Sequence, residues 1–193
     1  MKNILCLWAF LIVWACESKQ SSRSYEEYIS NHREETHEFM NNDEDSPFVG
    51  ADSTVTLNYF PANEKFKVIA DIERIENGGQ LTLATSDGVP RVYDKHAFLK
   101  FKINDQPQEL LVLKGEDNGG LFLAFSDLTN DKTTYGGGRY INLNFSDQAE
   151  KITLDFNLAY NPYCEYNEVY SCPLPPLENY LKMAIPAGEK LYK

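Results

Sequence analysis

The sequence predicts a mainly β protein with a minor α contribution: an antiparallel β-sandwich or barrel of about eight strands with an N-terminal amphipathic helix. Three observations predict it. From residue 55 to residue 156 the hydrophobic pattern has a period of two, glycine- and aspartate-rich breaks interrupt it at short intervals, and no helical period intervenes. A chain of 193 residues, 42% of them hydrophobic, suits a single folded domain.

The first element is an apolar run over residues 4–15 that follows Lys2. Such a run rises only about 18 Å as a helix, too little to cross a bilayer, so we interpret residues 1–15 as a signal peptide. Its end, Val-Trp-Ala followed by Cys16, resembles a bacterial lipobox. The sequence therefore predicts lipidation of Cys16 and a place in the bacterial cell envelope, lipid-anchored and extracytoplasmic, at the periplasmic or outer-membrane face. The alternatives are a plain secretory signal and an uncleaved anchor.

The charge of the chain limits its partners. The formal net charge is −11, from 29 acidic against 18 basic residues, and removal of residues 1–15 would make it −12. This sign argues against a nucleic-acid partner and against direct adsorption to anionic lipid. We therefore expect the lipid on Cys16, rather than the protein surface, to hold the domain at the membrane.

Cys16 is followed by polar residues only, up to residue 24. Residues 16–24 are therefore predicted to form a flexible tether, and residues 25–193 to form a single domain. Ser24 and Glu27 have the spacing of a capping box. Apolar and aromatic residues then recur at offsets of three and four, which predicts one amphipathic helix from Tyr25 to Met40.

The strands follow, separated by turn residues. The predicted segments are Phe66–Glu73, Leu81–Thr85, Arg91–Tyr93, Phe98–Ile103, Glu109–Lys114, Leu121–Phe125, Tyr140–Phe145 and Lys151–Phe156. Short strands at this spacing are typical of sandwiches and barrels.

Three runs stand out from this background: Tyr-Gly-Gly-Gly-Arg-Tyr at 135–140, Asp-Phe-Asn-Leu-Ala-Tyr-Asn-Pro at 155–162 and Cys-Pro-Leu-Pro-Pro-Leu-Glu-Asn at 172–179. With Tyr-Phe-Pro at 59–61 they closely resemble the family of domain of unknown function 1684 (DUF1684), from about residue 25 to the end. The resemblance implies no activity, because none is assigned to that family. It also implies one departure: Leu158 stands where many relatives carry arginine.

The glycine run allows two interpretations. The N–H groups of Gly136, Gly137 and Gly138 could form an anion-binding concavity beside Arg139. Alternatively, the glycines make a bulge or a close chain contact, and Arg139 pairs with Asp127 or Asp155.

Tyrosines and asparagines cluster around residues 157–179 among several prolines. Aromatic faces beside amide groups suit a pocket for a sugar or another polar organic ligand, and the alternative is that they only pack an irregular segment. The candidate ligand-binding residues are Asp127, Tyr135, Gly136, Gly137, Gly138, Arg139, Asp155, Asn157, Tyr160, Asn161, Glu178 and Asn179.

Cys164 and Cys172 lie close together in sequence, and an extracytoplasmic location predicts a disulfide between them. Free structural thiols, a metal site and a cysteine nucleophile are the alternatives. No histidine lies near them in sequence, so we predict no metal and no cofactor.

These observations favour a membrane-tethered, non-catalytic domain that binds a small polar or anionic ligand or a partner. A cell-envelope hydrolase that uses Asp127, Asp155 or Glu178 is the second hypothesis, since paired carboxylates serve acid–base catalysis. A purely structural envelope lipoprotein is the third.

Overall fold

The computed structural model describes residues 14–115 and 120–192, with the side chains of the first helix from Ser24 onward. The described residues form one helix and seven strands: α1 (Trp14–Asn42), β1 (Lys67–Arg74), β2 (Gln80–Leu83), β3 (Arg91–Ile103), β4 (Gln106–Gly115), β5 (Leu121–Phe125), β6 (Arg139–Leu143) and β7 (Lys151–Asp155). Short 3₁₀ helices occur at Glu64–Phe66, Phe156–Leu158, Tyr163–Glu165 and Leu177–Asn179.

The strands form a single antiparallel sheet in the order β6-β5-β4-β3-β1-β7, with β2 also paired to β3. The sheet curls into a half-barrel. A mainly β, antiparallel fold is thus confirmed, but the described residues contain neither the second sheet of a sandwich nor an eighth strand. The second layer is irregular chain after β7, where prolines remove the N–H groups that a ladder requires.

Strand β3 explains the lower strand number. The predicted strands Arg91–Tyr93 and Phe98–Ile103 are one strand with a bulge between Lys95 and Ala97. A bulge inserts an extra residue and breaks the alternation locally, so the sequence pattern reads as two strands. A two-residue turn at Asn104 and Asp105, both with positive φ, then joins β3 to β4.

The main core lies between the sheet and the irregular C-terminal chain. Its fully buried members include Leu99 and Leu110 from the strands, and Phe156, Leu181 and Ile185 from the segment after β7. This segment supplies the apolar surface that a second sheet supplies in a sandwich.

The helix is longer than predicted. Within the described residues it extends back to Trp14 rather than Tyr25, so its backbone runs through the expected tether, and Ser24 is an interior residue rather than a cap. Residues 14–24 contain no proline or glycine, and nothing there interrupts a helix. Residues 1–13, which carry most of the predicted signal peptide, and the side chain of Cys16 lie outside the described residues.

Hydrogen bonds attach α1 to the rest of the domain. The Tyr25 hydroxyl lies 2.9 and 3.0 Å from the two carboxylate oxygens of Asp155, at the end of β7. Arg33 donates to the Phe60 carbonyl at 2.9 Å. These contacts hold the helix across one side of the domain, where it forms a wall of the site described next.

Candidate functional site

A cleft of about 730 Å³ lies between α1 and the chain that follows β7. Ligand pockets typically measure roughly 300–1,000 Å³, so its size suits a small molecule. Tyr59, Tyr140, Tyr160, Tyr163 and Tyr170 line it. We call it the tyrosine cleft.

Strand β6 and the segment after β7 position four of these rings. Tyr140 and Tyr160 exchange two backbone hydrogen bonds, of 2.9 and 3.0 Å, which places their rings edge to face at 5.9 Å between centroids. Tyr163 and Tyr170 make a second edge-to-face pair at 5.3 Å. The rings are therefore held by backbone pairing and by one another.

Two of the hydroxyls are anchored at the edge of the cleft. Tyr140 donates to the Pro173 carbonyl at 2.6 Å, and Tyr160 donates to Asn142 Oδ1 at 2.7 Å. Burial raises the pKa of Tyr160 to about 12 and also raises the pKa of Tyr140. Both phenols are neutral at physiological pH, and their hydrogen bonds fix the orientation of the ring faces.

The helix supplies the opposite wall. His32, Glu35 and Thr36 line the cleft and lie three and four residues apart, which puts them on one face of α1. The Thr36 hydroxyl donates to the His32 carbonyl at 2.8 Å, so the threonine contributes mainly its methyl group. Sequence analysis missed this wall, because nothing local indicates that a helix over a hundred residues upstream packs over the tyrosines.

The charge of the cleft is distinctive. Among the described residues that line it there is no lysine or arginine, and Glu35 at the rim is the one carboxylate. The nearby Arg33 stands over the ring of Tyr59, 4.6 Å from its centroid, and is also bound to the Phe60 carbonyl. An anionic ligand therefore finds no lysine or arginine in the described lining of the cleft.

Cys164 and Cys172 are free cysteines, which contradicts the predicted disulfide. The chain does bring them together, and the Cys164 N–H, in the 3₁₀ turn at Tyr163–Glu165, donates to the Cys172 sulfur at 3.2 Å. A hydrogen bond from the Cys172 thiol, followed by one from the Ser86 hydroxyl, lowers the pKa of Cys164 to about 6. Cys172 itself lines the tyrosine cleft.

Arg139 and Asp127 form a sealed ion pair instead of a ligand site. Their side chains are 1% and 0% exposed, and Arg139 Nη2 lies 2.8 Å from Asp127 Oδ2. The guanidinium also donates to the carbonyls of Ile185, Ala187 and Glu189. The structure thus favours the alternative in which Arg139 is paired, and its partner is Asp127 rather than Asp155.

The glycine run serves close packing. A Cβ at Gly136 would overlap the Asp131 carboxylate, and one at Gly137 would overlap the Tyr135 ring. Gly138 has a φ of +87° and is pressed against Pro175 and the Phe125 carbonyl. These contacts favour the close-approach interpretation of the three glycines.

Asp155 and Asn157 link α1 to the end of the sheet. Asp155 accepts from Tyr25, and it also caps the following 3₁₀ turn through the Asn157 amide at 2.9 Å. Asn157 lines the cleft, yet its side chain is already bonded to the backbone N–H and C=O of Asn63. The predicted residues Asn157 and Tyr160 therefore lie at the cleft, while Asp155 lies behind it.

Asn179 has a structural position. Its side chain fills the gap where β4 and β5 diverge, accepting from the Leu111 N–H at 2.6 Å and donating to the carbonyls of Leu111 and Ala124. Neighbouring Glu178 is exposed. Tyr135 is half-buried, with its hydroxyl 4.0 Å from the Cys164 sulfur. None of the three lines the tyrosine cleft.

A buried carboxylate that sequence analysis missed lies behind the cleft. Glu189 is 0% exposed and accepts from the Tyr166 hydroxyl, from the Asn161 side chain at 3.0 Å and from the Asn161 N–H at 3.1 Å. Burial raises the pKa of Glu189 to about 7, and the hydrogen bonds it accepts oppose that shift. Asn161, a candidate ligand-binding residue, is therefore a hydrogen-bond partner of Glu189.

The candidate catalytic carboxylates do not form a pair. Asp127 is bound to Arg139, Asp155 is bound to Tyr25, and Glu178 is on the surface. Within residues 14–115 and 120–192 no three His, Cys, Asp or Glu side chains group as a metal site would. In the same residues no helix is both long and apolar enough to span a membrane.

Fold and site together define a mainly β domain in which a helix and a tyrosine-rich segment enclose a cleft beside a half-barrel sheet. Residues 54–190 match the family described as "Protein of unknown function (DUF1684)", and the chain belongs to this family. It is similar to an uncharacterized protein from gene locus rrnAC0354 of Haloarcula marismortui, known from a solution NMR structure. The two are 33% identical, the match covers 89% of this chain and 97% of the other, and the TM-score is 0.67. A search of curated proteins found no match.

Proposed function

We propose that this domain binds a small organic ligand in the tyrosine cleft and does not transform it. The observation that carries the proposal is the cleft itself, with its size and its wall of ordered tyrosine rings. Aromatic walls with a few polar groups are the usual composition of a small-molecule site. The absence of lysine and arginine from the described lining argues against the anionic ligand that the sequence also allowed.

Catalysis has less support than binding. A hydrolase needs an acid and a base that face the same substrate atom, whereas Asp127 and Asp155 have other partners and Glu178 faces solvent. A purely structural role would leave the cleft without a purpose. Binding without turnover accounts both for the cleft and for the positions of the three carboxylates.

The cleft is tested by filling it. Thr36→Trp places an indole on the helix wall, where the native hydroxyl only bonds its own helix. We expect this variant to lose at least tenfold in affinity for every compound that the parent binds in ligand-observed NMR screening of saccharides, amines, quaternary ammonium salts and carboxylates. Glu34→Trp, at an exposed position of α1 outside the cleft, is the matched control and should bind as the parent does. Equal binding by parent and Thr36→Trp would refute the site.

We further propose that a lipid on Cys16 tethers the domain to the bacterial envelope, outside the cytoplasm. The lipobox-like end of the apolar run supports this proposal. Because α1 is continuous from Trp14, His32 lies sixteen positions after Cys16, a rise of about 24 Å along the helix. The tyrosine cleft would then face solvent close to the membrane surface.

The tether has its own test. Cells that express the parent should incorporate radioactive palmitate into the protein, Cys16→Ser should abolish the labelling, and globomycin should cause the precursor to accumulate. Cys6→Ser, in the segment that would be removed, is the control and should leave labelling unchanged. Processing that neither Cys16→Ser nor globomycin alters would refute lipidation and leave the binding proposal intact.

A further inference from the structure

We infer that the ligand of the tyrosine cleft is an organic cation, with a quaternary ammonium or protonated amine head. This inference rests on the proposed function and specifies its ligand class. Three features of the described residues carry it: the ring faces, the hydrogen-bonding groups that are already engaged, and the charge around the cleft.

Five tyrosine rings line the cleft. The electron-rich face of an aromatic ring attracts a cation within about 6 Å of its centroid, and several rings around one site add their contributions. Tyr140 and Tyr160 are held by hydrogen bonds through their hydroxyls, and Tyr163 and Tyr170 by their edge-to-face contact. These rings need not be reorganised to receive a cation, which favours binding.

The amide groups that a sugar would need are largely engaged. Asn142 Oδ1 accepts from Tyr160, and the Asn157 side chain is bonded to Asn63 and Asp155. A saccharide buries many hydroxyls, and each hydroxyl left without a partner costs free energy. A quaternary ammonium group requires no hydrogen bond, so it does not depend on the side chains of Asn142 and Asn157.

The charge around the cleft favours a cation. Its described lining contains no lysine or arginine, Glu35 lies at the rim, and the whole chain carries −11. Arg33, the nearby positive charge, is engaged by the Tyr59 ring and the Phe60 carbonyl. Burial lowers its pKa, and Tyr59, Tyr25 and Asp155 oppose that lowering. A cation approaching the tyrosines therefore meets an attractive potential.

The experiment compares acetylcholine with 3,3-dimethylbutyl acetate, its uncharged isostere, on the full chain in a nonionic detergent. Calorimetry measures affinity, and NMR of ring-labelled tyrosine places the ligand. We expect acetylcholine to bind at least about tenfold more tightly than the isostere and to shift the tyrosine resonances. Glu35→Gln should lower the affinity for acetylcholine two- to threefold at low salt and less at high salt. Glu34→Gln, outside the cleft, should leave that affinity unchanged.

A charge introduced into the cleft tests the inference independently. Leu158→Arg should lower the affinity for acetylcholine about tenfold, and so reduce the ratio of the affinities for acetylcholine and its uncharged isostere. Leu158→Met is the uncharged control. Thr36→Lys introduces the charge from the helix wall if Leu158→Arg does not fold. If the parent bound both probes with equal affinity and Thr36→Trp bound neither, the cation inference would be overturned and the proposed function would stand. Failure of acetylcholine to bind at all would also overturn the inference, and the wider screen would then decide the function.

Discussion

Replacement of Arg139 by alanine is expected to lower the free energy of unfolding by about 3–5 kcal/mol. The side chain is 1% exposed, and its guanidinium joins Asp127 to three carbonyls of the C-terminal chain, those of Ile185, Ala187 and Glu189. The substitution leaves the Asp127 carboxylate buried without its counter-ion and removes donors from the carbonyls. Chemical denaturation followed by circular dichroism measures the loss.

Two further variants separate the ion pair from simple loss of packing. Asp127→Ala alone leaves a buried guanidinium, whereas the double variant Arg139→Ala/Asp127→Ala removes both charges, so it should cost less than the sum of the single changes. Lys132→Ala, at an exposed position, is the surface control and should change stability by less than about 0.5 kcal/mol. Single-variant losses below about 1 kcal/mol would contradict the sealed ion pair.

The strands were predictable because their signal is local. Alternating residues and turn residues such as Asn104 and Asp105 locate β1, β2 and β4 to β7 within a few residues of their observed bounds, and they locate β3 as two pieces. The arrangement of layers was not predictable in the same way. Alternation shows that one face of a strand is buried but not what covers it, and here the covering layer is irregular chain that carries Phe156, Leu181 and Ile185.

Prediction of the candidate site from the sequence had the same limit. The tyrosine-rich segment was identified from composition, and Tyr160 and Asn157 do line the cleft. Arg139 was a candidate for ligand binding because a sequence cannot show whether a charged side chain is exposed or paired inside the protein. Glu189 was missed for the converse reason: its carboxylate is distinctive only because the fold buries it beside Tyr166.

The stability of the domain is expected to fall as the pH rises from about 4.5 to about 7, through Glu189. Burial raises the pKa of this carboxyl from 4.5 to about 7, so in this range the folded protein holds a proton that the unfolded chain has lost. Stability decreases with pH wherever the folded state binds more protons, and a shift of this size corresponds to about 3 kcal/mol. The contribution of Glu189 should be complete below pH 4.5 and absent above pH 7.

Glu189→Gln carries no titrating proton, so the difference in unfolding free energy between parent and variant should slope with pH over this window and be flat above it. The comparison also cancels His96, whose pKa is lowered by burial and whose contribution has the opposite sign. Glu178→Gln, at an exposed carboxyl on the same C-terminal segment, should reproduce the parent's profile. Parallel profiles for the parent and Glu189→Gln between pH 4.5 and 7.5 would show that the Glu189 carboxyl titrates normally. The domain would then hold Glu189 as a carboxylate that Tyr166 and Asn161 compensate fully.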